Sequence, residues 1–142
     1  MTCLRAAEPA DRELLRQLLA DYLYEFDGRT TPYPYFDAYW TEPERLPFLI
    51  TNDDDIAGFC LIRVVNGGWQ VAEFSVLPEQ RRSGIGRQAA EELTARARAA
   101  GASHLEAKVH PDNRQALTFW LAAGFEIAVV LDSGAIVTRR DL

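Results

Sequence analysis

The sequence has few of the residues that hold metals or cross-links. Its 142 residues include 2 cysteines and 2 histidines. Cys3 and Cys60 stand far apart, and no histidine or cysteine falls at a metal-ligand spacing, so no metal is expected. No apolar run nears the roughly 18 residues that span a bilayer. The first residues, Met1-Thr2-Cys3-Leu4-Arg5-Ala6-Ala7-Glu8, lack the basic and apolar stretch of a secretory signal. A cytoplasmic chain with reduced thiols and no membrane partner is therefore expected. Positive charge is scarce as well. The net charge is -6 and Lys108 is the single lysine. An acidic chain without a basic stripe argues against nucleic acid as a partner.

What is present suits one domain over residues 1–142. Hydrophobic residues make up 48% of the chain, enough for a core, and neither a repeat nor a long linker interrupts it. Charge is uneven: residues 1–57 carry 12 acidic and 5 basic side chains, residues 58–142 carry 9 and 10. Hydrophobic spacing sets the element order. A weak strand spans residues 3–6. Leu14, Leu15, Leu18, Leu19, Tyr22 and Phe26 then recur at helical spacing up to Gly28. Residues 29–47, rich in aromatics and proline, read as a loop with a short second helix. Strands follow at 47–51, 57–65 and 69–76, the last two joined by the hairpin signal Asn66-Gly67-Gly68. Residues 84–100 are a helix with Glu92 and Arg96 as an i,i+4 pair. A strand at 104–109, a helix at 113–123 and two strands at 125–131 and 135–140 complete the chain. The order β-α-α-β-β-β-α-β-α-β-β is a mixed α/β, or α+β, layer.

Chemistry concentrates in Val76-Leu77-Pro78-Glu79-Gln80-Arg81-Arg82-Ser83-Gly84-Ile85-Gly86-Arg87. A strand ends, a polar loop follows and a helix begins at two glycines. The first amides of a helix have no intrahelical partner, and the dipole makes them an anion site. Gly84 and Gly86 remove Cβ atoms that would block a phosphate, and Arg81, Arg82 and Arg87 add positive charge. A phosphorylated ligand with its pyrophosphate on this loop follows. The loop of the G-x-x-x-x-G-K-[S/T] type is excluded, since no lysine follows Gly86. Gly84-Ile85-Gly86-Arg87-Gln88-Ala89 also fits G-x-G-x-x-A, with Glu106 near the place of a ribose-binding acid. That turn needs its first glycine directly after the strand, however, and the polar segment 78–83 intervenes.

Arg81-Arg82-Ser83-Gly84-Ile85-Gly86 resembles the [Q/R]-x-x-G-x-[G/A] motif of the GNAT superfamily of acetyl-CoA-dependent N-acetyltransferases. Asn113-Arg114-Gln115-Ala116-Leu117-Thr118-Phe119-Trp120-Leu121-Ala122-Ala123-Gly124-Phe125 resembles that family's N-x-x-A-x-x-F-Y-x-x-x-G-F segment. The resemblance implies a mostly antiparallel central sheet flanked by helices, with two parallel strands splayed at a cofactor cleft. It implies acetyl-CoA as cosubstrate. Phe74 and Val76 would offer strand backbone to its pantetheine arm, and Arg81, Arg82, Ser83, Gly84, Ile85 and Gly86 would give amides to its pyrophosphate. Arg87 would reach a phosphate, Asn113 would hold the pantetheine or cap the last helix, and Phe119 and Trp120 would line the thioester side. Trp120 departs from the family, which usually has a tyrosine there to protonate the leaving thiolate. An indole N–H donates a hydrogen bond but is no useful acid.

Amine acetylation needs a base. Glu73, in Ala72-Glu73-Phe74-Ser75-Val76, is the first candidate and Glu106 the second; His110, beside Pro111, reads as a loop residue. The family's first two helices shape the acceptor pocket. Here that region carries Tyr22, Tyr24, Glu25, Phe26, Asp27, Tyr33, Tyr35, Phe36, Asp37, Tyr39, Trp40 and Glu42. Such rings and carboxylates suit a small cationic amine, or else close a second core over the sheet. An N-acetyltransferase with a small-molecule acceptor and direct transfer is expected. An acyl-CoA-binding sensor without catalysis and an O-acyltransferase are the alternatives. A homodimer is among the assemblies left open.

Overall fold

The computed structural model describes residues 1–142. Its strands are β1 (Thr2–Ala6), β2 (Arg45–Asn52), β3 (Asp55–Val65), β4 (Gly68–Val76), β5 (His104–Val109), β6 (Glu126–Val130) and β7 (Ile136–Asp141). Its helices are α1 (Arg12–Asp27), α2 (Ile85–Ala99) and α3 (Arg114–Ala122). The strands form one sheet in the order β1-β2-β3-β4-β5-β7-β6. Every neighbouring pair is antiparallel except β4 and β5.

Local chemistry accounts for the boundaries. Gly28 closes α1 in the left-handed conformation, φ 72°, its N–H donating to the Tyr24 carbonyl. Asn66 and Gly67, at φ 51° and 78°, form the tight turn of the β3–β4 hairpin. Asn113 caps α3, its Oδ1 accepting from the Ala116 N–H at 3.0 Å. Two apolar layers sandwich the sheet. Residues such as Ile62, Trp69, Val71, Ala89, Leu93, Leu105 and Trp120 pack α2 and α3 onto one face. Leu15, Leu19, Phe36, Tyr39, Leu49, Phe59 and Leu61 pack α1 and residues 36–39 onto the other.

Three expectations are corrected. The second helix is only a 3₁₀ turn over Asp37–Trp40. Short helices are marginal alone, and here buried Phe36 and Tyr39 are anchored on the sheet while prolines at 34 and 43 bound the segment. Leu14 and Phe26 are exposed; the buried stripe of α1 is Leu15, Leu18, Leu19 and Leu23. Arg96 does not pair with Glu92. Its guanidinium donates to the Leu4 carbonyl and lies 5.4 Å from the Phe48 ring centroid, fastening α2 to β1 and β2.

No helix is long and apolar enough to cross a membrane. Cys3 and Cys60 are unbridged. The outermost strand, β6, is exposed along its length, with Ile127, Val129 and Val130 at 50%, 47% and 60%.

Gly58 lies where β3 passes the end of β4, paired with Val76. A Cβ there would sit 2.1 Å from the Ser75 carbonyl oxygen and 3.0 Å from the Val76 Cα. Backbone cannot swing aside as a side-chain tip can. Gly58→Ala is expected to cost about 1–3 kcal/mol, the scale of overpacking, read as a lower urea midpoint. An unchanged midpoint would show that the strands do not approach this closely.

Candidate active site

β4 and β5 stay together for only three registered pairs, Trp69↔Leu105, Gln70↔Glu106 and Val71↔Ala107. Beyond Val71 the two strands part. The parting coincides with a bulge: Ile62 pairs with Val71 but Leu61 pairs with Glu73, leaving Ala72 as the extra residue. The bulge shifts the alternation of β4. Trp69 and Val71 face α2 and α3; after the extra residue, so do Phe74 and Val76. Glu73 and Ser75, opposite Leu61 and Phe59, face α1. One strand thus lends a carboxylate to one face of the cleft and an aromatic wall to the other.

The loop after β4 runs through a 3₁₀ turn at Pro78–Gln80 to Gly84, the N-cap of α2. Arg82 and Gly84 both have left-handed backbone, φ 64° and 82°. The amides from Arg82 to Arg87 donate to no acceptor in the chain; the first to do so is Gln88, to the Gly84 carbonyl at 3.1 Å. Ile85, buried, anchors this row of amides to the core. The backbone here is what an anion site at a helix start requires. Arg82, Ser83, Gly84 and Arg87 are exposed, and neither Arg82 nor Arg87 has an acidic partner.

The sequence profile of the Acetyltransferase (GNAT) family matches residues 12–125. The chain belongs to that family. Its enzymatic class is acyl transfer. Solved structures of similar fold include the ribosomal-protein-S18-alanine N-acetyltransferase from Escherichia coli, 22% identical, TM-score 0.72, covering 99% of this chain and 94% of that one. An acetyltransferase from Thermus thermophilus is 19% identical, TM-score 0.80, with 100% and 97% covered. The PaiA N-acetyltransferase from Thermoplasma acidophilum, in complex with coenzyme A, is 14% identical, TM-score 0.77, with 100% and 99% covered. At such identities the likeness concerns the fold alone. Among curated protein sequences none matches.

Within this GNAT fold the two glycines also serve the chain's own backbone and packing. Gly84 supplies the left-handed turn, and nothing lies within 4 Å of where its Cβ would be. Gly86 is small because of packing: a Cβ would meet the Phe119 ring at 3.1 Å and Val76 at 3.5 Å. Arg81 is also committed elsewhere. Its Nε donates to the Val76 carbonyl at 2.8 Å, and its terminal nitrogens donate to both Glu25 oxygens at 2.6 and 3.2 Å. The Arg81 guanidinium ties α1 to the end of β4, and the Arg81 backbone N–H donates to the Pro78 carbonyl at 3.4 Å, so Arg81 stands outside the row of unpartnered amides. Nothing in the sequence between Glu25 and Arg81 signals that pairing.

Phe119 and Trp120 stand with Phe74 and Phe125 in an aromatic cluster. Ring centroids lie 5.5 Å apart for Phe74–Phe119, 5.2 Å for Phe74–Trp120, and 4.9 Å for Phe119–Trp120 and Trp120–Phe125. Trp120 is buried and Phe119 half-buried. Asn113 is spent on its cap through Oδ1.

On the opposite face, burial pushes the Glu73 carboxyl above the ordinary carboxylate range, while the Tyr22 hydroxyl and Arg29 pull it back. Desolvation first, and Glu73 second, raise both Tyr22 and Tyr33. Arg29 carried no signal in the sequence; just past Gly28 its guanidinium pairs with Asp27 at 2.8 Å, and its charge acts on Glu73 through space. Glu106 lies on the paired stretch, opposite Gln70, with its Oε2 3.6 Å from His104 Nε2. It stands before the strands part, unlike Glu73. His110 is a loop residue, its Nδ1 accepting from the Asp112 N–H at 3.2 Å. The aromatic segment divides: Phe36 and Tyr39 are buried in the second core, whereas Tyr24 and Tyr35 are exposed at 65% and 54%. A cavity of about 430 Å³ opens between α1 and residues 29–36, with Arg29 and Tyr33 in its wall.

A carboxyl whose pKa rises on folding contributes stability below its unfolded pKa that is lost as pH climbs through the folded value. Glu73→Gln should therefore melt higher than the parent at pH 7 and the same at pH 4. Equal melting temperatures at both pH values would show that Glu73 is well solvated.

Proposed function

We propose that residues 1–142 form one catalytic domain that transfers an acetyl group from acetyl-CoA directly to the primary amine of a small molecule. The row of unpartnered amides from Arg82 to Arg87, beside the gap between β4 and β5, carries this reading. The CoA complexes of the similarly folded Thermoplasma acidophilum and Bacillus subtilis acetyltransferases support it.

The residues fit the cosubstrate by charge and shape. The amides of Arg82, Ser83, Gly84, Ile85 and Gly86 hold the pyrophosphate, with Arg82 and Arg87 as counter-charges. The free edge of β4 at Phe74 and Val76 takes the pantetheine arm as an added strand would pair. Asn113, Phe119 and Trp120 complete that side. Acetyl-CoA supplies an activated acyl group and a thiolate leaving group. Glu73 takes the proton that the amine must lose, directly or through water, and its raised pKa suits that task near neutrality. Trp120 offers no acid. The thiolate leaves unaided, as a group with a reference pKa of roughly 8.5 can.

Direct transfer is supported by the placement of the nucleophilic side chains of β3 and β4. Cys60 is fully buried and burial drives its thiol pKa well above the usual range. Ser75 faces the α1 core, opposite Phe59. The cavity between α1 and residues 29–36 reaches Tyr33, whose hydroxyl the Glu73 charge acts on, and supports a small acceptor on this face. The unbridged cysteines support a cytoplasmic setting, and the exposed apolar edge at β6 supports a homodimer. Trp120 favours a second reading, a domain that holds acyl-CoA without turning it over.

Calorimetry with acetyl-CoA tests the loop. The double variant Arg82→Glu, Arg87→Glu should bind at least about tenfold more weakly, the scale of one charge-assisted hydrogen bond. Equal affinity would refute this placement of the pyrophosphate. Thiol release over an amine panel tests the chemistry. Steady release is expected with a matching amine, falling about 10²-fold or more in Glu73→Gln, with the rise in rate on the acidic side of the pH profile lost. Tight binding with no release from any amine would leave the sensor reading standing. In Trp120→Tyr a faster rate between neutral and alkaline pH is expected; no gain would mean that proton donation to the thiolate does not limit turnover.

A further inference from the structure

Buried polar atoms nearly always find hydrogen-bond partners, and each exception asks for an explanation. This chain's exceptions cluster between residues 39 and 45: the Tyr39 hydroxyl, the Trp40 indole nitrogen and the Arg45 Nε are buried without a partner. Two of these residues look onto the face of the sheet that carries Glu73. Pro47 pairs with Leu61, and Leu61 pairs with Glu73, so these three share a face. Arg45, two residues before Pro47, has the same parity. Strands about 4.8 Å apart and a rise of about 3.4 Å per residue put the Cα atoms of Arg45 and Glu73 about 12 Å from one another. Tyr39 stands at the Arg45 end, its ring centroid 5.4 Å from the guanidinium, and the charges of both Glu73 and Arg45 act on the Tyr33 and Tyr39 hydroxyls.

Arg45 is held rather than free. Its side chain is 12% exposed. The guanidinium lies 5.1 Å from the Tyr35 ring centroid and 5.4 Å from that of Tyr39. Its acidic neighbour is Glu42, whose Oε2 is 3.5 Å from Nε and makes no hydrogen bond to it. A fixed guanidinium with an unused donor, next to an unused phenol, matches a carboxylate, which is planar and takes two donors. At the other end of the same floor Glu73 matches an ammonium group.

We propose that the acceptor is an amine that also bears a carboxylate, with the amine at Glu73 and the carboxylate at Arg45 and Tyr39. This deepens the acetyltransfer reading above and rests on it. The floor between the two ends sets the spacing of the two groups.

Two matched series test the proposal by thiol release with acetyl-CoA. One is glycine, β-alanine, 4-aminobutyrate, 6-aminohexanoate and glycylglycine. The other is the n-alkylamines of equal chain length, with glycinamide. At least one amino acid should exceed its matched amine about tenfold in kcat/KM, with an optimum chain length. Arg45→Gln and Tyr39→Phe should each shrink that ratio severalfold, mainly through KM, and Arg45→Lys should restore part of it. Tyr39→Phe keeps the buried ring, so its result stands if Arg45→Gln folds poorly. Alkylamines turned over as well as amino acids, or a ratio that survives Tyr39→Phe, would overturn the carboxylate site while leaving acetyl transfer intact. No release in either series would overturn both.

Discussion

The cleft exists because two parallel strands stop pairing. β4 and β5 keep three registered pairs and then separate, so the backbone of β4 beyond Val71 is bonded to β3 on one side and, the Val76 carbonyl held by Arg81 apart, unpaired on the other. A polar backbone edge opening inside a sheet is costly unless something pairs with it. Part of that cost is met by Arg81, whose Nε donates to the Val76 carbonyl. α2 and α3 cover one face of the gap, and α1 with the 3₁₀ turn covers the other. The unpartnered amides, the aromatic wall and the carboxylate all stand around this one separation.

Packing then makes the positions firm. Phe119 fills the space that Gly86 leaves at the start of α2, and its ring also meets Phe74 and Trp120. The loop that presents the amides therefore rests on the same aromatic cluster that lines the gap. The Arg81 guanidinium adds a crosspiece, fixing the last carbonyl of β4 to Glu25 on α1. Paired, half-exposed charges contribute little to global stability, so its importance is geometric.

The parts of this arrangement legible in the sequence are those that a few consecutive residues decide. A helix start with bare amides needs glycine and a polar approach, and residues 78–87 show both. The α3 segment announces itself through its cap at Asn113 and its apolar spacing. The hairpin at Asn66-Gly67 is equally local. What escaped the sequence depends on partners far along the chain. Arg81 turns to Glu25 and Arg96 to Leu4, neither at a spacing that marks the pair. The short helix expected near residue 37 lost to tertiary anchoring of Phe36 and Tyr39. The bulge did leave a trace that alternation alone would miss. Apolar residues fall at 69 and 71, then at 74 and 76, so the pattern changes phase once. That slip puts Glu73 on the α1 face although its number has the parity of Trp69 and Val71, which face α2 and α3.

Ala72 is the residue that makes the slip. Without it β4 would alternate strictly and every side chain would keep its present face, but the strand would lose the bend that a bulge imposes. The bend is thus written as the count of residues in one strand, not as a choice of side chain. Substitutions at position 72 leave that count, and the bulge, unchanged. A three-base deletion there would straighten β4 while sparing both the loop at 81–86 and the segment at 113–125.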